Sequence, residues 1–164
     1  MNLGAVTYHF GSKEGLYDAV VESVLAPLRD RVTEAASKSG DPLRRIEGVV
    51  RAFYRHLSQN PDQASFMLQQ VTAGGAPIQP VQQTMRQVTT VLSNLVREGQ
   101  RDGTIRDSDT LLTVLSIVAL PVHLTLAGQL ISRSEGLSEA FHRDHAEEQA
   151  VQFVRRALAV REEP

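Results

Sequence analysis

The segment Tyr8-His9-Phe10-Gly11-Ser12-Lys13-Glu14-Gly15-Leu16-Tyr17 carries most of the information about this chain of 164 residues. Its pattern predicts the end of a short helix, a one-residue turn at Gly11 and the start of a long helix, because Ser12 is a typical N-cap residue. After the turn, apolar residues recur with helical spacing, at Leu16, Val20, Val24, Leu28 and Val32. The segment therefore predicts two helices joined by a tight turn.

The rest of the chain also has helical spacing, and no stretch alternates with a period of two over the length of a strand. Turn and cap residues divide it into further helices. We expect Pro27 to kink the first long helix or to end its first half. The remaining boundaries are predicted at Asp41-Pro42, Asn60-Pro61, Ala73 to Pro77, Gly103 and Ser134 to Gly136, with an N-cap at Asp107 or Ser108 and a last helix over 142–160. The fold class predicted from this pattern is all-α.

Composition and charge exclude several classes of protein. The formal net charge is −2, which argues against a non-specific nucleic-acid binder but leaves room for a local DNA-contacting surface. The chain has no cysteine, so disulfides and thiolate metal sites are excluded, and with no signal-peptide pattern we expect a cytoplasmic protein. We identify no nucleophile–base or acid pair, no phosphate-binding loop, no cofactor and no metal site, since His142 and His145 fit a solvated helix start better.

One predicted helix is unusually apolar. Between Thr110 and Ser132 the sequence contains no Asp, Glu, Lys or Arg, which is long enough to cross a bilayer. Polar residues and a central Pro121 interrupt the run, so burial at a subunit interface is the better interpretation. We therefore predict a homodimer formed by this helix and the last one, with Ile117 and Leu124 facing the partner, and no membrane association.

The opening segment resembles the closing signature of the TetR-family helix-turn-helix domain, in which a His-Phe pair is followed by Ser or Thr, Lys, an acidic residue and then Leu. In that family two further helices precede the recognition helix. The resemblance therefore implies that the chain lacks the first two helices of this domain, as a remnant with impaired operator binding. It also implies that residues 1–17 are the C-terminal part of the DNA-binding domain. Residues 18–164 would form the helical ligand-binding and dimerisation domain.

The resemblance also implies which residues contact DNA. Recognition helices present their N-terminal side chains to base edges and hold phosphates with neighbouring polar groups. Thr7 departs from the family, where tyrosine is usual at that position. Lys13 has independent support, because a positive charge at a helix start is unfavourable unless a phosphate docks there. The predicted DNA-binding residues are Asn2, Leu3, Gly4, Ala5, Thr7, Tyr8, His9 and Lys13.

A small-molecule site is predicted among the central helices. Ligand pockets are mostly apolar with a few polar anchors. His123 stands alone among apolar residues and could be such an anchor, although a hydrogen-bonded core or interface histidine is the simpler interpretation. The predicted ligand-binding residues are Phe53, Phe66, Met67, Gln70, Met85 and His123. Each of the five residues other than His123 is also common in a protein core.

Taken with the resemblance, these patterns predict a ligand-responsive transcriptional repressor that binds operator DNA as a homodimer and responds to a small apolar or amphiphilic effector. The alternative is a small-molecule-binding or dimerisation module with no DNA-binding function of its own. An enzyme is the least favoured class, because no catalytic set of residues is present.

Overall fold

A computed structural model of the protein describes residues 12–134 and 143–160. Within these ranges the chain forms six α-helices and no strand longer than a single bridging residue. This confirms the predicted all-α class. The helices are α1 (Lys13–Ala36), α2 (Pro42–Gln59), α3 (Pro61–Thr72), α4 (Gln79–Asp102), α5 (Thr110–Ser132) and α6 (Arg143–Leu158).

Local capping residues set several of the helix starts. The Ser12 hydroxyl accepts a hydrogen bond from the Gly15 amide at 3.0 Å, and the Asp41 carboxylate accepts one from the Arg44 amide at 2.9 Å. Both caps are as predicted. The predicted cap of α5 is wrong by one or two residues, because Asp109 accepts from the Leu112 amide at 2.8 Å. Ser108 instead bonds with Gln100 and so closes the loop before α5.

The helix α2 lies at the centre of the domain and contacts each of the other five helices. It can do so because it is apolar on several sides, with Val49, Phe53 and Leu57 almost fully buried. Helix α1 packs against α2 and α4, while α5 packs against α2, α3 and α4. The largest side chains of the core are Tyr54, Phe53, Leu25, Leu28, Ile46, Leu57, Leu92 and Ile105.

Two prolines lie inside helices without ending them. Helix α1 continues through Pro27, so the alternative that the proline ends its first half is wrong. The carbonyl that Pro27 leaves without an amide partner belongs to Ser23, and both residues are exposed, so water can satisfy it. Helix α5 likewise continues through the buried Pro121, whose own carbonyl accepts a hydrogen bond from the Thr125 hydroxyl at 2.9 Å.

The connection from α4 to α5 depends on two glycines. Gly103 ends α4 in the left-handed conformation at φ 79°, where glycine is strongly favoured. The chain then turns back so that Ile105 packs over Gly99 and donates its amide to the Gly99 carbonyl at 2.9 Å. The next amide, of Arg106, bonds to the Leu158 carbonyl at 2.9 Å. This return segment ties the end of α6 to α4.

Candidate functional site

The predicted DNA-contacting residues fall mostly outside the described ranges. Asn2, Leu3, Gly4, Ala5, Thr7, Tyr8 and His9 all precede Ser12, and their assignment stays a prediction. Lys13 is described, and it is the exposed first residue of α1, directly after the Ser12 cap. A helix start with free amides and an exposed lysine is chemically suited to hold a phosphate, so the predicted role of Lys13 is compatible with its position.

The six predicted ligand-binding residues do not surround one common space. Phe53 is 1% exposed within the main core, and Met67 packs against that core. Phe66 belongs to a second apolar cluster with Val21, Leu25 and Val81. Met85 is 38% exposed and His123 is also exposed. The six residues thus lie in different surroundings, and a ligand-binding role for each of them stays a prediction.

Gln70 has a structural partner in the loop after α3. Its side-chain carbonyl accepts a hydrogen bond from the Ile78 amide at 3.3 Å, which holds the start of α4 close to α3. Helix α3 itself buries only Ala64 among its 12 residues. Helix α3, which carries Phe66, Met67 and Gln70, is therefore weakly covered by the rest of the domain.

Helices α5 and α6 present a wide apolar surface to the solvent. We call this surface the apolar face; it consists of Leu111, Leu112, Leu115 and Leu130 of α5 and Phe153 of α6, each 45–69% exposed. Helix α5 has the length and the mean hydropathy of 2.0 that a membrane span would need, and only 22% of that window is buried. One such helix is weak evidence for a span. Exposed apolar patches of this kind are typical of interaction surfaces.

Two surface grooves flank Phe153. One, of about 360 Å³, runs between the start of α5 and the end of α6 and is lined by Leu112, Ile117 and Leu158 among others. The second, of about 490 Å³, lies further along the same pair of helices and is lined by Leu120, Leu124 and Ala150 among others. The two grooves make the apolar face concave on both sides of one projecting aromatic ring.

The residues predicted to face a dimer partner need a correction. Ile117 is only 3% exposed and belongs to the core of its own chain. Leu124 is half-buried and lines a groove. Phe153, whose helical spacing puts it with the other apolar residues of the last helix, is 66% exposed. That these two helices form a dimer interface stays a prediction, and the spacing alone did not indicate which side of each helix faces outward.

Six charged residues join α2 to α6, and we call them the charge ladder: Glu47, Arg51 and Arg55 of α2, and Glu147, Glu148 and Arg155 of α6. The Glu47 carboxylate accepts two hydrogen bonds from Arg155, both at 2.6 Å. Glu147 accepts one from Arg51 and one from Arg55, each at 2.7 Å, and Glu148 accepts one from Arg51 at 2.9 Å. The spacing of Glu47, Arg51 and Arg55 by four is the sequence signal for this cluster, and sequence reasoning missed it.

Burial and ion pairing act in opposite directions on the pKa of Glu147. Burial alone would raise the pKa of this carboxyl, but the hydrogen bonds from Arg55 and Arg51 hold it below the usual value. The hydrogen bond to Glu47 raises the pKa of Arg155, and the bonds to Glu148 and Glu147 raise that of Arg51. The pKa shifts of Glu147, Arg51 and Arg155 therefore all favour the charged form of the side chain.

Known proteins resemble this chain both in sequence and in fold. The family model of the tetracyclin repressor-like C-terminal domain matches residues 39–125, which is more than half of the chain. A regulatory protein of the TetR family from Rhodococcus RHA1 has 18% identity and a TM-score of 0.72, over 99% of this chain and 82% of that one. No curated protein matches.

Two further solved structures share the fold. The ketosteroid transcriptional regulator KstR2 of Mycobacterium tuberculosis has 18% identity and a TM-score of 0.71, over 96% of this chain and 79% of that one. A proposed fatty acid metabolism regulator of Clostridium perfringens has 15% identity and a TM-score of 0.73, over 96% and 83%. At these identities the likeness concerns the fold, and the family match covers the central helices that build it. The chain belongs to the tetracyclin repressor-like, or TetR, family of transcriptional regulators.

Proposed function

We propose that the chain acts as a ligand-responsive transcriptional repressor that binds operator DNA as a homodimer in the cytoplasm. The observation that carries the proposal is the apolar face of α5 and α6 on a chain of this family. A surface of four leucines and one phenylalanine, each 45–69% exposed, is unfavourable in water. A homodimer would bury it and would hold two DNA-reading helices at a fixed spacing.

The chemistry of the face favours a second copy of the same chain as its partner. An isologous interface brings each surface against itself about a two-fold axis, so a face with net charge would repel its own copy. Helix α5 has no charged residue from Thr110 to Ser132, and the part of the face that α5 contributes can therefore pair with itself without repulsion between like charges. The grooves on either side of Phe153 offer space for projecting side chains of the partner.

Sedimentation velocity tests the homodimer. Leu112→Glu and Phe153→Glu should convert dimer to monomer, because each places a charge on the apolar face. Val71→Glu is the matched control, since Val71 on α3 is as exposed as Leu112, at 64%, but lies away from that face. A monomeric wild-type protein at micromolar concentration, or equal dissociation by all three variants, would contradict the proposed dimer.

The proposed effector is apolar or amphiphilic. A ketosteroid transcriptional regulator and a fatty acid metabolism regulator have the same fold, and Phe66 and Met67 of α3 are apolar. We place the effector beside Phe66, Met67 and Gln70 on the weakly covered α3. A ligand that binds only the folded protein raises its midpoint of thermal unfolding, so thermal-shift measurements with long-chain fatty acids and steroids test the class. The absence of any stabilising compound in such a panel would count against an apolar effector.

DNA binding separates the proposed repressor from a dimerisation module without DNA function. Fluorescence anisotropy against DNA selected from a random pool tests for sequence-selective binding. Selective binding would rule out the module, and it would also contradict the impaired operator binding that the resemblance of the opening segment implies. Because a phosphate contact carries no base information, Lys13→Ala should weaken binding to all sequences by a similar factor.

A further inference from the structure

Helix α6 is held on the domain by apolar packing, by a backbone contact at its end and by the charge ladder. Its buried apolar residues are Ala146, Ala150, Val151, Val154 and Leu158, whereas Phe153 is 66% exposed. The Leu158 carbonyl accepts a hydrogen bond from the Arg106 amide at 2.9 Å. The charge ladder adds directional side-chain contacts between α2 and α6 themselves.

The charge ladder is complementary in only one alignment. Glu47 pairs with Arg155, whereas Arg55, two turns further along α2, pairs with Glu147, two turns earlier in α6. The helices therefore run antiparallel, with the charge order −, +, + on α2 facing +, −, − on α6. Sliding α6 by one turn in one direction would bring Arg155 opposite Arg51, and in the other direction would bring Glu148 opposite Glu47. Either slide separates Glu47 from Arg155 and places like charges together, while one carboxylate of α6 keeps an arginine partner.

The carboxylates make the penalty for misalignment large. The side chains of Glu47 and Glu147 are only 11% and 10% exposed, whereas the arginines that bind them are 35–59% exposed. Each helix thus contributes one buried carboxylate that only the other helix neutralises. A buried carboxylate without its partner costs far more than an exposed one, so the ladder disfavours other alignments more strongly than it favours its own.

We propose that the charge ladder sets the axial register of α6 on α2 and so determines where Phe153 lies on the apolar face. The register itself is independent of assembly, whereas its consequence at the interface rests on the proposed homodimer. In this role Arg51, Arg55 and Arg155 are positioning residues, which act on the interface through the placement of α6 and not by touching the partner.

The register can be measured directly because the chain has no cysteine. Spin labels on Arg44→Cys and His145→Cys, both exposed, report the distance between the start of α2 and the start of α6, which lie at opposite ends of the antiparallel pair, by pulsed electron paramagnetic resonance. Dilution with excess unlabelled chain isolates the distance within one protomer. Arg155→Glu should shift the main distance by about 5 Å, one helical turn, or broaden it over that range. The swapped pair Glu47→Arg/Arg155→Glu should restore the original narrow distribution.

The control is Arg156→Glu, which makes the same charge change at the exposed neighbouring position outside the ladder and should leave the distance unchanged. Rescue by the swapped pair supports a register role, whereas an unchanged distance in a folded Arg155→Glu protein would overturn it. Should Arg155→Glu fail to fold, Arg155→Met replaces it; a broadened distribution then supports the proposal and an unchanged one overturns it. Sedimentation of the wild type reports separately on the proposed dimer, since a monomer with a ladder-dependent distance would refute only the dimer.

Discussion

Replacing Gly99 with alanine tests how closely the return segment after α4 packs against that helix. A Cβ at this position would lie 2.5 Å from Cδ1 and 2.6 Å from Cγ1 of Ile105, well inside van der Waals contact. Ile105 cannot easily move away, because it is 2% exposed and its amide is bonded to the Gly99 carbonyl. Alanine should therefore force the return segment off α4.

The change in the free energy of unfolding can be estimated by comparison with a second glycine that lies inside a helix. Gly48 lies inside α2, where an added Cβ would meet only Ala35, at 3.8–3.9 Å, which is ordinary contact. Gly48→Ala should stabilise the protein by up to about 1 kcal/mol through helix propensity alone. Gly99→Ala gains a similar amount but incurs an overpacking cost of about 1–3 kcal/mol. The two variants should thus differ by about 2 kcal/mol, with Gly99→Ala the less stable.

Thermal and urea unfolding measure this difference. About 2 kcal/mol corresponds to roughly 4–8 °C between the two melting temperatures for a chain of this size. Ile105→Val removes Cδ1, the atom nearest the added Cβ. It should therefore lower the free energy of unfolding by less in the Gly99→Ala background than in the wild type, a difference that a double-mutant cycle measures. Equal stabilisation by Gly48→Ala and Gly99→Ala would refute the close approach of Ile105.

Three other changes in stability follow from single groups. Gly103→Ala should destabilise by about 1 kcal/mol in urea unfolding, because alanine is strained at φ 79°; no change would refute the left-handed cap. Burial lowers the pKa of His56 below 6.5, against a raising effect of its hydrogen bond to Gln63, so the folded state disfavours the proton. The neutral His56 side chain stabilises the fold fully above pH 6.5, and this stabilisation is lost as the pH falls through the lower pKa of the folded state. His56→Gln should therefore reduce the pH dependence of the free energy of unfolding, measured by urea unfolding between pH 7.5 and 5. The pKa of Glu147 is lowered from 4.5, so its ion pairs stabilise above that pH and are lost below it; Glu147→Gln should be less stable than wild type at pH 7 and converge with it in acid.

The boundaries of the helices could largely be predicted from sequence because they depend on local chemistry. Ser12 and Asp41 cap their helices through side-chain contacts three residues away, and Gly103 ends α4 through its own backbone conformation. Such interactions need no information from distant parts of the chain. The resemblance of the opening segment to the TetR signature was equally local, and the family match to residues 39–125 confirmed the family from a different part of the chain.

The orientation of each helix was harder to predict, because periodicity gives angles within a helix but not the direction of its neighbours. On α4 the apolar residues recur at spacings of four and three, a pattern that by itself favours a core-facing Met85, yet Met85 is exposed and the adjacent Thr84 is buried. The Thr84 hydroxyl is bonded by Arg29 of α1, a partner 55 residues earlier. This contact lets a polar residue occupy the core side of α4.

The candidate interface also combines features that the sequence determines with features that only the tertiary structure decides. The sequence alone determined that α5 is uncharged along its whole length and that the last helix is amphipathic. Only the tertiary structure decided that Ile117 lies inside the domain and Phe153 outside it, because α6 docks on α2 through ion pairs such as that between Glu47 and Arg155, 108 residues apart. Contacts at that separation arise from packing of the whole bundle, and they decide which apolar side chains remain available to a partner.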